Sequence, residues 1–159
     1  MNSGRSPREL TDAYREGPAL LRSAVSGMDG SDLRARPIEG KMSTLEVLCH
    51  IVDSDQFMCD RVKRTIATDR PLLMGVGSAG YSEPLGYHDR DPELDLRLLE
   101  VQREQLAADL ERIAPEAWQR VAAHSESGTQ TLLELVDHAV DHLESHLLAI
   151  EEKRRALGV

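Results

Sequence analysis

The sequence predicts an all-α fold: a four-helix bundle with one long crossover loop between its second and third helices. Three observations carry this. Hydrophobic residues make up 40% of the chain, mostly Leu, Ala and Val, while aromatic residues are only 3%, a balance that suits a helical core and disfavours a β-sandwich. Four segments open with capping chemistry and continue with apolar residues at three- and four-residue spacing. A stretch rich in glycine and proline separates the second from the third.

Each element has its own signature. Ser6-Pro7-Arg8-Glu9 places a hydroxyl at the cap, proline in the first turn and a glutamate able to reach back, which starts the first helix. Gly17-Pro18 is expected to kink or interrupt it, because proline removes a backbone donor and clashes with the preceding turn. Gly27, Gly30, Pro37 and Gly40 mark the first connection. Ser43-Thr44-Leu45-Glu46 repeats the capping box and opens the second helix. The loop from about Thr68 to Arg90 carries Pro71, Gly75, Gly77, Gly80, Pro84 and Gly86. Asp91-Pro92-Glu93 starts the third helix, whose apolar face includes Leu96, Leu99, Leu106, Leu110 and Ile113. A last loop runs from Pro115 through Gly128, and Thr131-Leu132-Leu133-Glu134 caps the fourth helix. A chain of 159 residues suits one domain, residues 1–159.

Composition excludes several classes of function. Lys and Arg total 19 against 28 Asp and Glu, a formal charge of −9, so no general attraction for a phosphate backbone exists and nucleic acid is not an expected partner. The few aromatic residues, Trp118, Phe57, Tyr14, Tyr81 and Tyr87, do not supply a base-stacking platform. No apolar run reaches the roughly 18 to 20 residues of a membrane helix, and Met-Asn-Ser-Gly-Arg-Ser-Pro lacks the apolar stretch of a signal peptide. Cys49 and Cys59 fall on different faces of one helix and are read as reduced, buried thiols of a cytoplasmic protein.

The histidines hold the functional signal. Of six, at 50, 88, 124, 138, 142 and 146, the last three recur every four residues. Imidazoles at i and i+4 are neighbours on a helix and can point at one ion, whereas three in a row span two turns, about 12 Å. A pair from this helix plus a residue from elsewhere is the economical arrangement. His142 and His146 lie at the edge of the helix's apolar arc, where imidazoles without partners would cost a few kcal/mol. The third ligand is best supplied by His50, beside the arc of Val47, Ile51, Met58 and Val62, with loop residues His124 and His88 as alternatives. Leu143 stands where a zinc-protease helix would carry glutamate. A weak internal echo aligns Glu46–Asp53 with Glu134–Asp141.

Residues Lys41–Asp55 resemble the opening of the second helix in the DinB-like four-helix-bundle family, and His138–Ile150 resembles its closing helix. The likeness spans nearly the whole chain, including Leu33-Arg34-Ala35-Arg36-Pro37 and Trp118. It implies a metal triad of His50, His142 and His146, with His138 an extra histidine one turn earlier. Met42 stands where the family often has tryptophan, and Leu148-Ala149 where Gly-Gln often follows the final ligand. The resemblance also implies zinc or nickel, and activity with a low-molecular-weight thiol as cosubstrate.

Three neutral imidazoles leave a divalent ion its full charge and open positions, which lowers the pKa of a bound water or thiol. The expected function is therefore metal-dependent thiol (S-)transfer to a small molecule. The alternatives are a metal-dependent hydrolase and a non-catalytic, metal-stabilised dimeric binding protein, and a homodimer is expected in either case. No catalytic side chain is assigned. Three residues can line or support the pocket. Asp55 sits near the centre of an apolar arc, where it either pairs with an arginine, supports a ligand histidine or shuttles protons. Arg61 shares a side of the helix with His50 and either binds an anionic substrate or pairs with an acid. His138 is the third.

Overall fold

The structure is a computed structural model that describes residues 4–159, apart from the side chain of Ala79. The first three residues of the N-terminal stretch lie outside it. The capping signatures all operate. Helix α1 spans Pro7–Val25 behind a Ser6 cap, and a short helix α2 spans Gly30–Arg34. Helices α3 (Thr44–Ala67), α4 (Pro92–Arg112) and α5 (Leu132–Leu157) start behind Ser43, Asp91 and Thr131, whose side chains accept from backbone N–H groups of the first turn. Helix α2 lies in what reads as an irregular connection, and an Asp29–Asp32 capping box starts it.

Helix α1 packs against α4 and α5, and α3 packs against the same pair. Consecutive long helices α1 and α3 are therefore diagonal, as are α4 and α5, so their connections must cross an end of the bundle. Buried aliphatic residues from all four, among them Leu10, Leu21, Leu48, Ile51, Leu99, Leu106, Leu132 and Leu143, fill the interior.

The four-helix bundle stands as expected, and a small sheet accompanies it: strands β1 (Leu72–Leu73), β2 (Val121–His124) and β3 (Gly128–Thr131) pair in the order β1-β2-β3. Strand β1 runs parallel to β2, and β2 is antiparallel to β3. These strands are too short to show alternation, and β1 finds its partner some fifty residues away, so local pattern carries no trace of it. Helix α1 runs through Gly17-Pro18, so of the two expected outcomes the interruption does not occur. Proline at 18 leaves the Tyr14 carbonyl without its helical donor, and Arg103 Nη1 donates to that carbonyl at 3.3 Å. A Cβ at Gly17 would fall 2.5 Å from the same nitrogen, so glycine lets the guanidinium approach the backbone.

The crossover from α3 to α4 is tied down along α3. Ser82 donates to Glu46 at 2.8 Å, Ser54 and Ser78 share a hydrogen bond of 3.0 Å, and Tyr87 donates to Asp53 at 2.7 Å. Arg90 bonds both Asp53 oxygens at 2.9 Å and also reaches Asp95, which accepts from Cys49. Both cysteines are buried thiols. Burial alone would raise the Glu46 pKa, but Arg36, the Ser43 N–H and Ser82 bring it down to about 2. A carboxylate with a depressed folded-state pKa stabilises above its unfolded value and loses that contribution as pH falls through the folded one. Glu46→Gln is therefore expected to cost about 1–2 kcal/mol at neutral pH, allowing for the screening of exposed Arg36. The gap should close between about pH 4.5 and pH 2. Urea midpoints of both proteins across that range check this.

Candidate metal centre and its cleft

His50 lies two turns into α3, and His142 and His146 lie one turn apart on α5, the helix packed beside it. Together they form one cluster, with one ring nitrogen from each within 4.8 Å of the others. The ring centroids are 5.2 Å apart for His50–His142, 4.9 Å for His50–His146 and 4.6 Å for His142–His146. The Nε2 atoms of His142 and His146 are 3.2 Å apart. Tetrahedral ligation at ~2.0–2.1 Å sets nitrogen donors about 3.3 Å apart, so this pair already has the spacing an ion requires. His50 is buried, and its Nδ1 has no hydrogen-bond partner among the described residues. An orphaned buried ring nitrogen and two facing Nε2 atoms fit a divalent ion, and the cluster can hold one.

The electrostatics agree with the geometry. Burial, then the charges that His146, His50, His138 and Arg103 would carry, push His142 down to about 3. Burial, followed by His50 and Lys153, brings His146 to about 4. Burial lowers His50 against the opposing pull of Asp53 and the Ser78 backbone. Burial thus favours the neutral form of all three rings, the form that ligates a cation.

A cleft of about 430 Å³ opens beside the cluster, with His142, His138, Ser54, Ser78 and Arg61 among its lining residues. His138 stands outside the triad, its ring 6.3 Å from that of His142, on the cleft wall. Burial and the Arg61 charge lower its pKa. Arg61 is half-buried in the same wall and donates to the Met74 carbonyl at 2.7 Å.

The structure places Asp55 elsewhere. Its carboxylate accepts from Arg103 at 2.6 and 3.0 Å, from Gln102 at 2.8 Å and from Tyr14 at 3.1 Å. Every lone pair is engaged inside the bundle, so the arginine-pairing role holds and the proton-shuttle role falls away. His88 sits in an exposed turn. His124 lines the cleft, and its Nδ1 accepts the Glu126 and Ser127 N–H groups that close the β2–β3 turn.

Sequence reasoning missed the hairpin wall, with Glu126 and Gln130, and also Lys153. The latter is 2% exposed, donates to the Ala149 carbonyl at 3.1 Å and lowers His146. A lysine three residues past Ile150 on the apolar arc was the available signal. The echo was misleading: it equates His50 with His138, whereas the cluster joins His50 to His142 and His146.

Three histidines converging from two adjacent helices beside a polar cleft define a helical bundle able to hold an ion between facing helices. The chain belongs to the DinB superfamily, whose family model matches residues 13–150. Among solved structures it is similar to YfiT from Bacillus subtilis, with a TM-score of 0.90 and 24% identity over 98% of this chain and 90% of that one. YfiT is described as "a probable metal-dependent hydrolase with an unusual four-helix bundle topology". No curated protein sequence matches the chain. No helix is long and apolar enough to cross a membrane.

Proposed function

We propose that the protein is a metal-dependent S-transferase, with zinc or nickel as the ion, that joins a low-molecular-weight thiol to a small electrophile in the cleft. The observation that carries this reading is a cluster of three neutral imidazoles that no carboxylate joins among the described residues. A divalent ion bound there supplies a lowered thiol pKa. Deprotonating a thiol then needs no strong side-chain base, whereas water activation is helped by one. The sulfur forms a bond to the electrophilic carbon, the leaving group departs with its bonding pair, and the thiol proton passes to neutral His138 or to solvent.

A metal-dependent hydrolase is the second reading. His138 on the cleft wall favours it as a ring able to accept a proton from water, and it is the activity ascribed to YfiT. One assay separates the readings. Metal-loaded and chelator-treated protein are incubated with a chromogenic haloarene plus a thiol, and with p-nitrophenyl esters and phosphates in water. Metal-dependent product that requires the thiol supports transfer. Release from the esters without thiol supports hydrolysis. Bound metal with no turnover of either supports a non-catalytic, metal-stabilised dimer.

A further inference from the structure

The cleft has two chemically different ends. One is the histidine cluster; the other is Arg61, eleven residues beyond His50 on α3. Eleven residues bring a helix back to nearly the same face, about 16 Å further along its axis. His50 and Arg61 therefore project toward one side of α3, and the cleft contacts both His142 and Arg61.

Arg61 is held but not neutralised. Its Nη2 is fixed by the Met74 carbonyl, while Nη1 faces only the Met58 sulfur at 3.9 Å. No carboxylate lies within ion-pair distance of it among the described residues, although Arg103, Arg90, Arg36 and Arg22 all have such partners. In a chain carrying −9, a half-buried guanidinium that lines a cavity with no carboxylate at ion-pair distance, Glu126 acting on it only from further off, is a site left for a ligand. Glu126, the carboxylate of the same cleft, packs instead over Gly75, where a Cβ would lie 2.2 Å from its carboxyl carbon. His124 adds a donor to this end: with Nδ1 accepting two backbone N–H groups, the neutral ring carries its proton on Nε2.

We propose that Arg61 is the specificity residue of the cleft, binding a carboxylate or phosphate group of a small molecule whose other end reaches the histidine cluster. The substrate class is thus an extended anionic molecule, not a neutral or cationic one. The guanidinium suits either oxyanion, with Nη1, which meets only the Met58 sulfur, available for a charge-assisted bond. The assignment of a reactive end rests on the proposed function above; anion binding at Arg61 does not.

The test is calorimetric titration of succinate, inorganic phosphate and neutral dimethyl succinate into the wild type, Arg61→Gln, Arg61→Lys, Glu126→Gln and His50→Ala. Saturable binding of at least one anion to the wild type is expected, without binding of the ester. Affinity should fall roughly 10- to 100-fold in Arg61→Gln, the scale of lost charge-assisted bonds. It should be partly kept in Arg61→Lys, rise in Glu126→Gln, and persist in His50→Ala, where the histidine cluster is broken. Equal affinity in Arg61→Gln, ester binding as tight as succinate, or no saturation by either anion at about 10 mM overturns the proposal. Weaker anion binding in Glu126→Gln also overturns it, and this variant leaves the Arg61–Met74 bond intact. Binding lost in Arg61→Gln but kept in His50→Ala supports the anion site even if no metal is ever found, so the two readings fail separately.

Discussion

Arg103→Met is expected to lower the unfolding free energy by about 3–5 kcal/mol, the scale of a buried ion pair broken on one side. The melting temperature should fall by roughly 10 °C for a chain of this size. Arg103 is 1% exposed and Asp55 2%, so the orphaned carboxylate would have no water to replace the guanidinium. Arg103 also donates to the Tyr14 and Ala139 carbonyls and stacks 4.3 Å over the Tyr14 ring. One side chain thus ties α1, α3, α4 and α5 together. Combining Asp55→Leu with Arg103→Met should recover only part of the loss: two apolar side chains carry no desolvation cost, but the Tyr14 carbonyl and hydroxyl are left without their partners. Denaturant unfolding of the two single variants and the double one checks this. A loss under about 1 kcal/mol for Arg103→Met would mean that the pair behaves as a surface bridge.

The second large effect concerns the metal. His142→Ala is expected to weaken divalent-ion binding at least about 100-fold, since even an outer hydrogen-bond partner of a ligand is worth 10- to 100-fold. His50→Ala should behave alike, whereas His138→Ala should keep the ion, its ring lying 6.3 Å from His142 and outside the cluster. Competition against a chelator and metal content after gel filtration provide the readout. Full metal in His142→Ala refutes the triad, and loss confined to His138→Ala moves the site one turn toward the helix start. Ion binding favours the folded state by mass action, so chelation should lower the melting temperature of the wild type and leave His142→Ala unmoved.

The legible parts of this fold are those coded within a few residues. Ser6, Ser43, Asp91 and Thr131 each announced a helix, because a cap needs only a side-chain acceptor and the next turn's N–H groups. The i, i+4 spacing of His142 and His146 likewise fixed a shared direction on one helix. Gly17-Pro18 reads as a kink or an interruption, and it does not interrupt the helix because the residue that satisfies the Tyr14 carbonyl stands on α4, 89 positions away. Strand β1 escaped notice for the same reason: two leucines become a strand only beside β2.

Asp55 illustrates both sides. An acid on an apolar arc signalled a buried partner, and sequence could not decide between an arginine and a histidine; the packing of α4 beside α3 decided it. Arg61 is the converse, an arginine with no carboxylate at ion-pair distance among the described residues. Local chemistry by itself determined the four long helices, the histidine pair on α5 and the acidic, aromatic-poor character of the chain, because caps, periodicity and charge are counted along the backbone. Only the tertiary structure decided which helices are neighbours, that His50 meets His142 and His146, and which charges are neutralised. Those outcomes depend on groups far apart in the chain, and burial makes each of them energetically consequential.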